Sequence, residues 1–124
     1  MTTTPGNQRI LIVEDDPEVR RFLVEFLEEE GYEVDQASDG LAAIEKVGNG
    51  GHALMVLDMM LPDMTGEEVA ERLRQKGHQP PTLLVTANGR AKESALTVGA
   101  FAYLSKPFEL DAFLSSIERG LAIT

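Results

Sequence analysis

Acidic side chains stand directly after two apolar runs of this sequence. Glu14 and Asp15 follow residues 10–13, and Asp58 follows residues 54–57. Carboxylates crowded into one place repel each other, and a hard divalent cation such as Mg²⁺ removes that conflict. A carboxylate can also act as a nucleophile and accept a phosphoryl group, forming an acyl phosphate. If these acids converge, the chemistry they favour is metal-assisted phosphoryl transfer.

Two further side chains have the types that such a transfer needs. Thr86 ends a third apolar run, and Lys106 follows the last one. The charge on a transferred phosphoryl group must be neutralised while the group is held in line, and an ammonium and a hydroxyl supply part of this. Taken singly, Thr86 is an ordinary strand residue and Lys106 an ordinary surface lysine. The prediction therefore depends on their convergence.

The elements that would position these residues are strands alternating with helices. Apolar runs without polar alternation are typical of strands buried on both faces of a parallel sheet. Five strand candidates, each followed by a helical segment, lie at residues 10–13, 33–37, 54–57, 83–85 and 101–105. The second is more polar and is expected near a sheet edge. The pattern predicts an α/β fold with helices on both faces, in which the carboxyl ends of the strands share one edge.

The first helix has a recognisable start and an apolar face. Asp16 before Pro17 is interpreted as an N-cap with proline at the first helical position, rather than as a metal ligand. Helical spacing predicts an inward face made of five residues: Val19, Phe22, Leu23, Phe26 and Leu27.

Composition excludes several classes of protein. The 124 residues suffice for one domain, and the net charge of −10 disfavours binding to nucleic acid or to an anionic membrane. No cysteine is present, which excludes disulfides, thiolate zinc sites and iron–sulfur clusters and suits the cytoplasm. No apolar run approaches the length of a membrane span.

Four stretches in order resemble the bacterial response-regulator receiver domain, the CheY-like family of two-component signalling. They are residues 10–17 (ILIVEDDP), 57–66 (LDMMLPDMTG), 85–87 with 99–100 (VTA, GA) and 103–108 (YLSKPF). The resemblance implies a flavodoxin-like three-layer fold with a five-stranded parallel sheet of order 2-1-3-4-5. It implies a receiver domain over residues 9–121, a flexible segment at residues 1–8 and a tail at residues 122–124.

The resemblance also implies roles for individual residues. Asp58 would be the phosphoacceptor, with Thr86 and Lys106 binding phosphoryl oxygens. Mg²⁺ (or Mn²⁺) would be bound by Asp15, by Asp58, by the backbone carbonyl of Met60 and, through water, by Glu14. Tyr103 would act with Thr86 as a conformational switch. The Lys106–Pro107 peptide would be cis.

The implied partners are a histidine kinase or phosphotransfer protein and a downstream protein that reads the fourth-helix, fifth-strand and fifth-helix face. The domain would catalyse its own phosphorylation and dephosphorylation, as a switch rather than as a metabolic enzyme. Met60 and Asn88 flank the implied site, and Met60 is hypothesised to hinder the water that attacks the acyl phosphate.

The sequence departs from the family pattern in two places. Lys106 follows Thr86 by 20 residues, a shorter interval than the family pattern, which predicts an altered fourth helix or preceding loop. Phe101 and Ala102 stand where winged-helix transcription-factor receivers commonly carry acids. Their symmetric salt-bridged dimer is therefore not expected here. Phe101 is either a partner contact or a partly buried residue.

Two alternatives remain open at the level of sequence. One is a degenerate receiver that acts only as a phosphorylation-independent interaction module. The other is a flavin-binding module of the same fold, which the anionic residues 14–16 disfavour because they would repel a phosphate. His52 and His78 are interpreted as loop histidines rather than metal ligands. Whether the receiver stands alone or belongs to a longer protein also stays open.

Overall fold

The computed structural model of the chain describes residues 8–87 and 89–123, and within these ranges five strands alternate with five helices. The strands are β1 (Arg9–Val13), β2 (Glu33–Ala37), β3 (Leu54–Asp58), β4 (Thr82–Thr86) and β5 (Ala102–Ser105). The helices are α1 (Pro17–Glu29), α2 (Gly40–Gly48), α3 (Gly66–Gln75), α4 (Ala91–Val98) and α5 (Leu110–Ile123). All strand pairs are parallel, in the order β2-β1-β3-β4-β5. The predicted flavodoxin-like fold is confirmed, with β2 at an edge and β3 at the centre.

The sheet is buried on both faces, which explains the uninterrupted apolar runs. Along β1, Ile10 and Ile12 pack with α1 and α5, while Leu11 and Val13 pack with α2, α3 and α4. The inner strands β1, β3 and β4 therefore carry polar residues only at their first or last positions. The polar side chains that follow β1 and end β3 and β4 lie at the carboxyl edge of the sheet.

Asp16 caps α1 as the sequence predicts. Its Oδ1 accepts hydrogen bonds from the backbone N–H groups of Glu18 (2.9 Å) and Val19 (3.3 Å), and Pro17 begins the helix. The cap fixes the point at which the chain turns from β1 into α1. The intervening residues are thereby held at the sheet edge.

The predicted inward face of α1 is partly wrong. Leu23 and Leu27 are buried together with Val24, which the spacing did not single out. Val19 and Phe22 are exposed, Phe22 to 55%. The buried stripe is rotated toward Val24 because α1 packs over β2 as well as β1. The exposed Val19 and Phe22 line an open groove with Pro107 and Phe108 of the β5–α5 loop.

Helix α4 is the shortest of the five helices, at 8 residues. Within residues 8–87 and 89–123, no side chain forms a capping hydrogen bond at its N-terminus. Its C-terminus is held by Arg74 of α3, whose Nη1 donates to the carbonyl of Val98 at 2.7 Å. The short Thr86–Lys106 interval thus contains a short helix whose C-terminus is held by a side chain of α3.

Phe101 is half-buried rather than free on the surface. It packs with the core cluster of α1 and α5. A Cβ atom added to Gly120 of α5 would overlap the Phe101 ring. The absence of a side chain at position 120 therefore makes room for the aromatic ring, which answers the question left open by the sequence in favour of partial burial.

Both histidines lie in loops, as the sequence predicts, but His52 also contacts a strand residue. Its ring is buried, and its Nε2 lies 3.1 Å from Oδ2 of Asp35 on β2. The sequence did not predict this contact because the two residues are 17 positions apart with no motif joining them.

The predicted segments at the two chain ends are described only in part. Residues 1–7 of the predicted flexible segment lie outside the described residues, as does Thr124 of the predicted tail. Helix α5 continues to Ile123, past the predicted domain boundary at residue 121. None of the described helices is both long and apolar enough to cross a membrane.

Candidate functional site

Three carboxylates converge where β1 and β3 end. Glu14 and Asp15 follow β1, and Asp58 is the last residue of β3, the neighbouring strand. One carboxylate oxygen from each lies within 4.8 Å of the others. Glu14 and Asp58 are buried, whereas Asp15 is exposed. We call these three residues the acidic pocket.

Lys106 is brought to the acidic pocket from the end of β5. Its Nζ donates to Oδ2 of Asp58 at 2.9 Å and to Oε1 of Glu14 at 3.1 Å. Its backbone N–H donates to the carbonyl of Thr86 at 2.8 Å. The Lys106–Pro107 peptide is cis. One ammonium thus bridges two buried carboxylates that would otherwise repel each other.

The electrostatics of the pocket show this balance. Burial raises the pKa of Glu14 above its usual range, and the charge of Asp58 adds to the effect. Hydrogen bonds from the backbone of Asp16 and from Lys106 oppose that rise in the pKa of Glu14. Burial alone would lower the pKa of Lys106, but the hydrogen bonds and charges of Asp58 and Glu14 outweigh it, so the pKa of Lys106 is raised.

Asp58 is also held by its own loop. Its Oδ1 accepts a hydrogen bond from the backbone N–H of Met60 at 3.2 Å. The loop after β3 is closed by a bridge between Met60 and Thr65, and the Met60 side chain is 62% exposed. A Cβ atom on Gly66 would lie 3.0 Å from the carbonyl oxygen of Asp58, so a side chain here would crowd the point where this loop passes close to the strand.

Thr86 and Tyr103 lie in different environments. Thr86 is fully buried at the end of β4, one residue beyond the partner of Asp58 in the strand register. Tyr103 on β5 is 42% exposed and lines a surface hollow together with Leu96 of α4 and Arg119 of α5. Asn88, which the sequence placed beside the site, lies outside the described residues.

Two contacts near the site were missed by the sequence reasoning: one supports the acidic pocket, and the other fixes the loop after β3 outside that pocket. Arg20 of α1 donates from Nη1 to the backbone carbonyls of Glu14 (2.8 Å) and Asp15 (3.4 Å). Asp63, in the loop after β3, accepts the N–H groups of Gly40 and Leu41 at the start of α2. A basic residue one turn into the helix after an acidic loop is a usable signal for the first. No sequence signal marks the second.

The donor set suits a hard divalent cation. The acidic pocket provides only oxygen ligands, and two of its three carboxylates are buried, with a single ammonium to offset them. Mg²⁺ and Mn²⁺ prefer carboxylate, carbonyl and water oxygens. The pocket could therefore bind such an ion.

Fold and pocket together define a doubly wound α/β protein with an acidic, lysine-bridged site at the carboxyl edge of its sheet. The family model described as the response regulator receiver domain matches residues 10–118. The chain belongs to this family, the receiver domains of two-component response regulators.

Individual relatives agree with this assignment. The uncharacterized transcriptional regulatory protein YkoG of Bacillus subtilis is 40% identical over 90% of this chain and 50% of its own length. The response regulator TrrA of Thermotoga maritima, solved in complex with Mg²⁺-BeF, has a TM-score of 0.80 at 36% identity, covering 91% of this chain and 98% of that one. The non-phosphorylated HemR receiver domain of Leptospira biflexa has a TM-score of 0.85 at 36% identity, covering 94% and 96%.

The chain spans about half the length of the curated relatives it matches. Receiver domains of transcriptional regulators interact with kinases and with downstream effectors.

Proposed function

We propose that this chain accepts a phosphoryl group on Asp58 from a phosphohistidine of a histidine kinase or phosphotransfer protein. The observation that carries the proposal is the placement of Asp58, a buried carboxylate at the end of the central strand. It is hydrogen-bonded to Lys106 and lies beside Glu14 and Asp15. A carboxylate oxygen of Asp58 attacks phosphorus, the phosphorus–nitrogen bond breaks, and the histidine leaves with the electron pair.

The chain's own residues hold and neutralise the transferred group. Asp15, Asp58, the Met60 carbonyl and, through water, Glu14 are the proposed ligands of Mg²⁺ or Mn²⁺, which supplies charge neutralisation for the phosphoryl oxygens when bound. Lys106 already donates to Asp58 and is within reach of an added phosphoryl oxygen. Water later attacks phosphorus, releasing inorganic phosphate and restoring the Asp58 carboxylate.

The switch is proposed to run through Thr86 and Tyr103. An added phosphoryl group draws the Thr86 hydroxyl toward it and opens space behind the end of β4. Tyr103, now 42% exposed, then turns inward. The face formed by α4, β5 and α5 changes shape as a result, and a downstream protein or output domain reads it.

The proposed setting is the cytoplasm, without direct contact to nucleic acid or membrane. The net charge of −10 supports this because it repels anionic polymers and anionic lipid surfaces. The absence of cysteine suits a reducing compartment.

The test is the intact mass of the chain after incubation with a small phosphodonor such as acetyl phosphate, with and without Mg²⁺. We expect a Mg²⁺-dependent gain of one phosphoryl group. The Asp58→Asn variant should show none, and Asp63→Asn, an acid of the same loop outside the acidic pocket, should still gain it. A folded chain that gains nothing from several donors would contradict the proposal and favour a phosphorylation-independent interaction module.

A further inference from the structure

The carbonyl groups of Glu14 and Asp15 lie between the end of strand β1 and the start of helix α1. The first carbonyl used by α1 is that of Asp16, which accepts the N–H of Arg20 at 2.9 Å. The carbonyls of Glu14 and Asp15 precede it and are not used by the helix. The guanidinium of Arg20 reaches back and donates to both of them. The loop that presents two of the three pocket carboxylates is thus closed by a side chain of the helix that follows it.

The same guanidinium is braced from the sheet. Its Nε donates to Oε1 of Gln36 on β2 at 3.1 Å. Among the described residues Arg20 forms no ion pair with a carboxylate. Its hydrogen bonds therefore engage the backbone of the loop, and Arg20 does not compete with a cation for the carboxylates of the acidic pocket. Hydrogen bonds from a charged donor are roughly twice as strong as neutral ones, so this contact can hold a loop in place.

We propose that Arg20 is a positioning residue for the metal site. It holds the backbone of Glu14 and Asp15 so that their carboxylates converge with Asp58, and Gln36 fixes the orientation of the guanidinium. The inference rests on the proposed function, because the metal site serves the transfer to Asp58. Groups that orient metal ligands from behind typically contribute tenfold or more to metal affinity.

Charge and positioning make opposite predictions for this residue. Arg20 is a cation close to a cation-binding site, so its removal should strengthen Mg²⁺ binding if charge alone matters. Loss of the backbone contacts should weaken binding. Two variants separate the effects: Arg21→Met removes the same charge from the adjacent position, where the described residues offer no hydrogen bond or ion pair, and Gln36→Ala removes the brace without changing the charge.

The experiment is calorimetric titration of the folded chain with Mg²⁺, with no phosphodonor present. For Arg20→Met we expect a dissociation constant about tenfold higher than that of the native chain. Arg21→Met should stay within about twofold, and Gln36→Ala should raise the constant by about twofold to threefold. Because Gln36 acts through Arg20, its substitution should add nothing in the Arg20→Met background.

A second readout separates positioning from catalysis. The Mg²⁺ concentration giving half-maximal phosphorylation should rise in Arg20→Met, while the rate at saturating Mg²⁺ stays close to native because Asp58 and Lys106 are intact.

Equal or tighter Mg²⁺ binding by Arg20→Met than by Arg21→Met would overturn the inference. A native chain that binds no Mg²⁺ would also overturn it. If Arg20→Met does not fold, a native Mg²⁺ affinity in Gln36→Ala would overturn it instead. If the native chain binds Mg²⁺ but is not phosphorylated, the proposed function fails and the calorimetric comparison still decides the role of Arg20.

Discussion

At the scale of single residues, the site is defined by contacts between side chains that are far apart in the sequence. Lys106 touches Glu14 and Asp58, which lie 92 and 48 positions away from it. Those three residues were predicted because strand ends of a parallel sheet converge. Arg20 was missed although it stands one turn into the helix after an acidic loop, because its contacts are with backbone carbonyls rather than with a side chain that a motif would mark.

Met60 allows a prediction about signal lifetime. Its side chain is 62% exposed beside the proposed phosphoacceptor and offers an attacking water only a weakly accepting sulfur and no donor. Met60→Asn should speed loss of the phosphoryl group, since a hydrogen bond to water worth about 1 kcal/mol corresponds to roughly fivefold in rate. The measurement is the decay of phosphorylated protein by intact mass. An unchanged decay rate, with phosphorylation itself normal, would count against the role of Met60.

At the scale of elements, one carboxylate joins two strands, a helix and a loop. Asp35 on β2 contacts Lys46 of α2 at 3.0 Å, His52 at 3.1 Å and Arg9 of β1 at 3.6 Å. Burial would raise the pKa of Asp35, but the hydrogen bonds from Lys46 and His52 outweigh it and hold the pKa at about 2, below the usual 3.8. This cluster lies on the strand that the sequence marked as the most polar.

The Asp35 cluster predicts a pH-dependent contribution to stability. Because the folded-state pKa is lower than the unfolded one, the stabilisation is present above pH 3.8 and is lost as the pH falls toward 2. Asp35→Asn should lower the free energy of unfolding by about 2 kcal/mol at pH 7, and by less at pH 3. Urea denaturation at both values measures the difference. Glu33→Gln, an exposed acid of the same strand, should change stability by less than about 0.5 kcal/mol. An equal loss in both variants would refute the assignment.

The contact of α5 with Phe101 predicts the effect of a single methyl group. Gly120→Ala should improve helix propensity by about 1 kcal/mol, but the new Cβ would overlap Phe101 and Leu54. Overpacking of this kind costs about 1–3 kcal/mol, so the net result should be destabilisation. Thermal unfolding measures it. Phe101→Leu should cost less in the Gly120→Ala background than in the native chain, and a stabilised Gly120→Ala chain would show that the ring moves aside freely.

The elements also show where sequence reasoning succeeds and fails. The strands were predicted because residues such as Leu11 and Ile12 must be apolar on both faces of the sheet. Helix α1 was found correctly, but its buried stripe was misplaced at Phe22. Apolar spacing shows that a helix has an inward side. It does not show how far a neighbouring helix such as α5 covers that side.

At the scale of the whole molecule, three like charges are held together within a chain of net charge −10. Binding of a divalent cation to the folded state alone should stabilise it. At a Mg²⁺ concentration tenfold above the dissociation constant the gain is about 1.4 kcal/mol. For a domain of this size, that gain corresponds to a rise of roughly 5 °C in Tm.

The measurement is thermal unfolding with MgCl₂ against NaCl of equal ionic strength, which separates specific binding from general screening. Asp15→Asn removes one pocket carboxylate at an exposed position and should lose most of the Mg²⁺-specific rise. An equal rise in both chains would assign the effect to sites elsewhere on the surface.

The hydrogen bonds of Lys106 have a consequence for folding kinetics. Every strand pair is parallel, so each pairing waits for a helical crossover, and the chain has few local contacts between strands. Lys106 can reach Glu14 only after β1, β3, β4 and β5 stand side by side. A partly folded chain therefore lacks the assembled pocket, and competence to be phosphorylated should appear together with the last strand to dock rather than with early helix formation.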